Sequence, residues 1–320
     1  MTRKIETQRP YRHFKGKLYY VHNIVTHTET EEVLVSYQAL YPPYGMFVRP
    51  LDMFMEEVED GREDNIDNND YGDYARRACH RKFSVGADGL LVVKNSDIAD
   101  IEMVYYNSDG SRAAMCGNGL RCFVKFVYDN KIIEKDEFDV YTLDGIKRVK
   151  LNLKDNEIQT IKVNMGKGSF LAKDVPINTE IDKFIEQKIN VLDREYTVSS
   201  ILMGVPHTIV FVDELNMDEV CKYGAEIENH EMFPQKTNVN FVQIIDDKNI
   251  LVKTFERGCG YTFGCGTGMT ASVMVSNYLG KVGKSVNVTS EGGSVQIDLE
   301  DGFAYMTGPA VKICEGNLEV

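Results

Sequence analysis

Along most of the chain apolar residues recur at every second position in short stretches bounded by turn residues, the signature of strands. GLLVVKNS, DIEMVYYNS, EFDVYTLDG, RVKLNLKD, TIKVNMGK, HTIVFVDE, NVNFVQIID, ILVKTFERG, SVNVTS, SVQIDLED and FAYMTGP all read this way. Such a run at short spacing predicts an antiparallel barrel or layered sheet. Two conspicuous helices interrupt it. One begins just after MCGNG, with apolar Leu120, Phe123, Val124 and Val127. The other begins just after GCGTG, with Met269, Val273, Val275 and Leu279, and is closed by Gly280. Their apolar positions spread around much of the circumference, so each is expected to be wrapped by sheet. The two lead-ins stand 149 residues apart, which points to an internal duplication of one β-rich half with a central helix.

Residues 11–58 have a different texture. KLYYVHNIV and EEVLVSYQALY flank a Thr-His-Thr-Glu-Thr turn, followed by PPYG and MFVRPLDMF, a pattern that predicts a small antiparallel β-unit. The next stretch, EEVEDGREDNIDNNDYGD, offers little to bury and reads as a linker or exposed loop, with a domain boundary near residue 60.

Composition narrows the function. With 43% hydrophobic and 27% charged residues in 320, the chain is an ordinary globular protein. Its net charge of −13 argues against a nucleic-acid binder, which needs a basic field. An anionic substrate would have to be held by local donors such as helix N-termini or Arg. The start, MTRKIETQRP, lacks the apolar region of a signal peptide, and the apolar runs are too short to span a bilayer, so no membrane association and a cytoplasmic location are expected. Seven cysteines without a C-x-x-C pair suggest free thiols rather than a disulfide framework or a zinc site.

Two of those thiols share a setting. Cys116-Gly117-Asn118-Gly119 and Cys265-Gly266-Thr267-Gly268 each open a helix. Glycines there let the backbone approach a ligand, and the free N–H groups favour an anion such as a carboxylate. The same field is expected to lower a thiol's pKa toward the thiolate. One Cys near a glycine-rich turn is more often just a small buried residue. Two in matching contexts suggest opposed thiols facing one carbon, equipment for inverting a stereocentre alpha to a carboxylate without a cofactor. Of the rest, Cys122 falls about 240° round the helix from Cys116 and is expected in the core. Cys79, Cys221 and Cys314 have no catalytic context, whereas Cys259, six residues before Cys265, could approach the site. A metal site built on Cys79, His80 and Cys116 lacks ligand spacing, so no metal is expected. His13, Lys15, Lys17 and Arg49 could form a small recognition surface, but a half-buried β-unit explains the tyrosines around them more simply.

NSDGSRAAMCGNGLRCFVKF together with FERGCGYTFGCGTGMTAS resembles the diaminopimelate epimerases, and the resemblance continues through HRKFSVGADGLLVV, MGVPHTIVFVD and TNVNFVQ to the terminal MTGPA. It implies an α+β fold of two pseudo-symmetric half-barrels of mostly antiparallel strands, each around a central helix. Here a small β-rich domain would precede them: residues 10–60 the small domain, 61–170 the first half, 171–300 the second, and 301–320 a strand returning to the first half. It implies cofactor-independent interconversion of LL- and meso-diaminopimelate in lysine biosynthesis, and a homodimer, since family members are commonly dimers. Cys116 and Cys265 match the catalytic pair, the first donating and the second accepting a proton in the LL-to-meso direction. Backbone groups of Gly117, Asn118, Gly266 and Thr267 would hold the reacting carboxylate. Asn107, Asn240, Glu256 and Arg257 match substrate-binding residues, and His207 and Glu256 match residues that assist near the reacting centre.

The pattern is broken in two places. The family's first strand and its MHGLGNDF-like segment are missing, and residues 1–60 instead resemble an uncharacterised small bacterial domain with the same YRHFKG, YQALY and VRPLDMF signatures. Val205 stands where the family commonly has an Asn. Three readings follow: an accessory domain fused to an intact enzyme, with residues of the 60s and 70s replacing the lost strand; a shift to another amino acid, such as histidine; or a weakly active paralogue whose N-terminal unit is a binding module.

Overall fold

The computed structural model describes residues 7–12, 18–39, 46–51, 54, 68–316 and 318. The chain divides into two compact units, residues 1–70 and 71–320. His13, Lys15 and Lys17, and residues 55–67 of the acidic stretch, lie outside the described residues.

In the N-terminal unit four strands, β1 (Arg9–Arg12), β2 (Leu18–Thr26), β3 (Val33–Ala39) and β4 (Met46–Pro50), form an antiparallel sheet in that order. Val21, Val35 and Ala39 are buried, and Tyr37 packs edge-on to Tyr19 and stacks on Phe47. The Thr-His-Thr-Glu-Thr segment turns the β2–β3 hairpin, where His27 Nδ1 accepts from the Thr30 N–H at 3.2 Å. Arg49 is exposed on β4.

The acidic stretch is not all loop. Helix α1 (Asn68–Ala78) occupies its end, because Ala75 supplies a buried apolar contact beside Val104 and Tyr106, with Tyr71 packed against them. The residues from 68 to 78 therefore do not replace a strand.

The larger unit is built around one repeated plan. In the first half, β5 (Gly89–Lys94), β6 (Ile101–Asn107) and β7 (Arg112–Ala113) lead into helix α2 (Gly117–Asp129), followed by β8 (Glu137–Thr142), β9 (Gly145–Lys154) and β10 (Glu157–Gly166). The second half opens with β11 (Gln187–Val191), β12 (Arg194–Met203), β13 (Val205–Phe211) and helix α3 (Met217–Glu228). It then repeats the plan with β14 (Asn238–Ile244), β15 (Asn249–Glu256), β16 (Gly260–Thr262), helix α4 (Gly266–Tyr278), β17 (Ser285–Ser290), β18 (Gly293–Glu300) and β19 (Phe303–Gly308).

The pairings match element by element. β5–β6 and β14–β15 are antiparallel, β6–β8 and β15–β17 are parallel, and β7 and β16 return on β6 and β15. An offset of 149 positions carries the ends of α2 onto those of α4, and the start of α1 onto the start of α3. β19 pairs with both β18 and β10 and so joins the halves. The symmetry fails at one edge. β13 flanks β14, but among the described residues no strand flanks β5, the place where the missing first strand would lie.

The helices fit this frame unequally. α4 is buried nearly all round, its polar Thr270 and Ser272 tolerated because each hydroxyl donates to the carbonyl four residues back. α2 buries one face only, Leu120, Phe123, Val124 and Val127 at helical spacing. Cys122 points away from that face and is exposed, which corrects its expected place in the core. Inward residues of the strands, such as Val149, Leu151, Ile161, Val163, Ile297 and Met306, complete one core around both helices. A second cluster fills the space under α3. No helix among the described residues is long and apolar enough to cross a membrane.

Candidate active site

Both cysteines are N-caps. Cys116 has extended backbone and its Sγ accepts from the Gly119 N–H at 3.3 Å; Cys265 does the same with the Gly268 N–H at 3.4 Å. A Cβ built on Gly266 would lie 3.6 Å from Gly117 Cα, so the two helices start against one another. Met306 and Met165 fill the space behind: a Cβ on Gly117 would reach the Met306 methyl at 2.8 Å and the Met165 methyl at 3.2 Å. Two sets of helix N–H groups thus converge near two thiols, with glycine leaving the backbone accessible.

The thiols are nevertheless held as thiols. Burial pushes Cys265 up to about 12, the nearby Glu256 carboxylate adding to the rise while Thr267 and the Gly268 N–H oppose it. Burial also raises Cys116, against the pull of the Gly119 and Asn118 N–H groups. The expected net lowering is therefore reversed: the helix ends act in the anticipated direction, and desolvation outweighs them.

Glu256, at the end of β15, accepts from Thr262 Oγ1 at 2.5 Å across the β15–β16 hairpin. Burial raises its own pKa, while hydrogen bonding from Thr262 and Cys265 pulls it back. Asn107 occupies the corresponding end of β6 and closes the turn after it, donating from Nδ2 to Ser111 Oγ at 3.0 Å. Thr267 Oγ1 lies 3.3 Å from Cys265 Sγ.

Behind Cys265 stands a buried relay. Asn240 on β14 faces Thr254 on β15, whose hydroxyl donates to Asn240 Oδ1 at 3.0 Å. Asn240 Nδ2 lies 3.1 Å from His207 Nδ1, a pairing that makes Nδ1 the acceptor and leaves the proton on Nε2. Nε2 is buried with no hydrogen-bond partner among the described residues. Burial, with Arg257 adding, lowers His207 to about 3 and keeps the ring neutral. Asn240 and His207 are fully buried, and the Asn240 amide is used within the protein at both ends.

The turn carrying Arg257 is fixed from three sides. Its N–H donates to Asn238 Oδ1 at 2.8 Å, its Nη1 donates to the Gln235 carbonyl at 3.0 Å, and the buried Glu228 of α3 accepts from the Gly258 N–H at 3.0 Å. Asn118 spans the halves, donating from Nδ2 to the Gly264 carbonyl just before Cys265 at 3.0 Å. Val205 follows Gly204, where a Cβ would sit 4.0 Å from the Thr267 methyl.

Sequence reasoning overlooked several of these residues. Tyr105, two residues before Asn107, is half-buried, its phenol pushed up by burial and by Cys116, Asp88 and Glu256. Asn238 sits in the quoted TNVNFVQ segment but was passed over for Asn240. Glu228, Thr262 and Arg121 carried no local signal beyond their residue type. Of the remaining cysteines Cys79 is buried, and Cys221, Cys259 and Cys314 are exposed. Cys259, on the turn after Glu256, feels that carboxylate electrostatically.

A family model described as Diaminopimelate epimerase matches residues 56–171 and 199–313, and one described as Protein of unknown function (DUF1653) matches residues 9–65. The chain is 47% identical over 247 residues to a diaminopimelate epimerase of Alkaliphilus metalliredigens, covering 77% of this chain and 87% of that one. It is 48% identical over 253 residues to one of Clostridium perfringens, covering 78% and 92%. Among solved structures, a probable proline racemase from Agrobacterium radiobacter superimposes with a TM-score of 0.57 at 17% identity, over 78% of this chain and 83% of that one. A hydroxyproline epimerase from Agrobacterium vitis gives 0.56 at 16%, over 73% and 76%. At such identities these two show a shared fold.

Proposed function

The chain belongs to the diaminopimelate epimerase family, and on that premise we propose that it interconverts LL- and meso-diaminopimelate, a step of lysine biosynthesis, by a two-thiol mechanism that needs no cofactor. One observation carries the reading: two cysteines cap two pseudo-equivalent helices whose first residues, Gly117 and Gly266, abut.

In this reading the substrate's reacting carboxylate lies between the helix starts and accepts from the N–H groups of Gly117, Asn118, Gly266 and Thr267. Charge developing on the alpha carbon and its carboxylate is stabilised there by fixed dipoles in a site shielded from water. A thiolate on one face takes the alpha proton, breaking C–H and forming S–H. The thiol on the other face gives up its own proton to the same carbon. Configuration inverts, and the negative charge has moved from one sulfur to the other. Raised thiol pKa values suit this exchange, because a basic thiolate is needed to take a weakly acidic proton.

Arg257 offers a guanidinium fork for the distal carboxylate, and Asn107 an amide at the edge of the same region. Asn240 and His207, hydrogen-bonded to one another, support the wall behind Cys265. The substrate is a free amino acid of the cytoplasm. Incubation with LL-diaminopimelate in heavy water tests the proposal: meso product carrying alpha-deuterium is expected, and neither interconversion nor deuterium uptake would overturn it.

A further inference from the structure

The repeat at 149 positions shows where the two halves differ in charge. Cys116 corresponds to Cys265, Gly117 to Gly266, Asn107 to Glu256 and Arg121 to Thr270. In the second half Thr270 Oγ1 donates to the Gly266 carbonyl at 2.8 Å. In the first, Arg121 Nη1 reaches the matching Gly117 carbonyl at 3.4 Å. A guanidinium thus stands one turn inside the Cys116 helix where its counterpart has a neutral hydroxyl. Conversely, a carboxylate stands beside Cys265 where the first half has a neutral amide.

Arg121 is 8% exposed, and the acceptors around it are uncharged. Nε donates to the Pro309 carbonyl at 3.2 Å, Nη2 to Asn118 Oδ1 at 3.0 Å, and Nη1 also meets Met306 Sδ at 3.3 Å. Among the described residues no carboxylate pairs with it. The fold makes room for the group: a Cβ on Gly308 would come 3.2 Å from Nε. A buried cation without a counter-ion is costly, and the cost falls if negative charge forms nearby.

We propose that Arg121 is a positioning residue for charge: held through Gly117 and Asn118, its guanidinium directs the first ionisation of the pair to Cys116 and leaves Cys265, beside Glu256, as the remaining thiol. This rests on the two-thiol reading of the site. The other ionisable groups around the pair are accounted for as follows. Arg121, its pKa lowered by its own burial, faces Cys122 first and Cys116 second. Cys116 in turn faces Glu256, Cys122, Tyr105 and Cys265, and its N–H contacts to Gly119 and Asn118 outweigh the Glu256 carboxylate. Cys265 faces Glu256 and Cys116, and there Glu256 is second only to burial. Asp88 adds negative charge near Glu256. Once the pair has given up one of its two protons, the remaining one is shared unequally between the sulfurs, and the substrate isomer whose alpha hydrogen faces Cys116 is the one that reacts without a prior proton shift.

The test is iodoacetamide alkylation of the full chain between about pH 6 and 12, read at each cysteine by peptide mass spectrometry, with exposed Cys221 as the internal control. The pH midpoint, rather than the rate, separates charge from access. In the wild type Cys116 is expected to titrate below Cys265. Arg121→Met should raise the Cys116 midpoint by about one pH unit or more without moving Cys221, and Arg121→Lys, which keeps the charge, should recover most of that shift. Glu256→Gln should lower the Cys265 midpoint. An unmoved Cys116 midpoint in a folded Arg121→Met variant, or Cys265 titrating first in the wild type, would overturn the proposal. Should Arg121→Met fail to fold by circular dichroism, the wild-type order and the Arg121→Lys profile decide. The readout needs no turnover. A protein that inverts diaminopimelate but titrates Cys265 first refutes the charge placement alone, whereas loss of inversion in the wild type refutes the functional reading.

Discussion

Asn118 Nδ2 donates to the Gly264 carbonyl at 3.0 Å, tying the helix that starts after Cys116 to the loop that ends at Cys265. Arg121 holds the other end of the same amide. The spacing of the two thiols therefore depends on a side chain that touches neither sulfur. Asn118→Leu leaves a carbonyl and a guanidinium without their partner, so a stability loss of about 1–3 kcal/mol in urea denaturation is expected. Inversion should fall at least about 100-fold, because misplacing one thiol relative to the other defeats transfer. Wild-type kinetics in this variant would contradict the role.

Two helix-start glycines should respond differently to alanine. A methyl group on Gly268 would overlap the Asn240 amide oxygen, which is fixed by Thr254 and His207. Gly268→Ala should cost about 1–3 kcal/mol and most of the activity. On Gly117 the methyl meets only the flexible ends of Met306 and Met165. Gly117→Ala should keep more stability than Gly268→Ala, and thermal unfolding of the pair reads the difference.

His207 gives the fold an acid limb. Its pKa drops from 6.5 to about 3 on burial, so the native state favours the neutral ring. The stability this contributes is complete above 6.5 and is lost progressively as pH falls toward 3. Urea midpoints measured across that window should decline in the wild type and flatten in His207→Gln. Equal slopes in both would exclude the His207 contribution.

Raised thiols set the opposite limb. The folded value for Cys265 lies near 12 against an ordinary 9, so stability is complete below 9 and declines as pH rises toward 12. The rate should move the other way at first. With Cys116 and Cys265 both raised, kcat/KM is expected to climb from neutral toward alkaline pH as the base form fills, then fall once the second thiol ionises. A profile flat from neutral to about pH 9 would contradict raised thiols.

Much of this arrangement was legible before the fold was known, and the reasons are specific. Cys-Gly-x-Gly repeated 149 residues later marks both helix starts, because N-cap chemistry is local and needs little context. Helix α1 was hidden because its buried contact is Ala75, in a segment of Asn, Asp and Gly that reads as loop. Helix α3 did leave a signal, Asn216 as N-cap with Asp218 and Glu219 in the first turn, but its residues have mixed polarity. Strand β11 alternates in burial, but β12 does so only at its start before a run of four buried residues, and the Leu192-Asp193 turn between them leaves little local signal. The roles of Asn240, Asn238, Glu228 and Arg121 depend on partners distant in sequence, Thr254 on a facing strand or Pro309 nearly two hundred positions away, and no local pattern encodes such pairings. The raised thiols were missed because helix-end fields can be read from a motif, whereas depth of burial cannot.

The two-thiol account is tested most directly by following each alpha hydrogen in heavy water with LL- and with meso-diaminopimelate, in the wild type and in Cys116→Ser and Cys265→Ser. The wild type should invert both isomers and place deuterium at the new stereocentre. Each single variant should lose inversion, and any residual alpha-hydrogen exchange should survive on one isomer only, the opposite isomer for the two variants. Wild-type inversion in either variant, or exchange of the same isomer by both, would contradict a pair of thiols working from opposite faces.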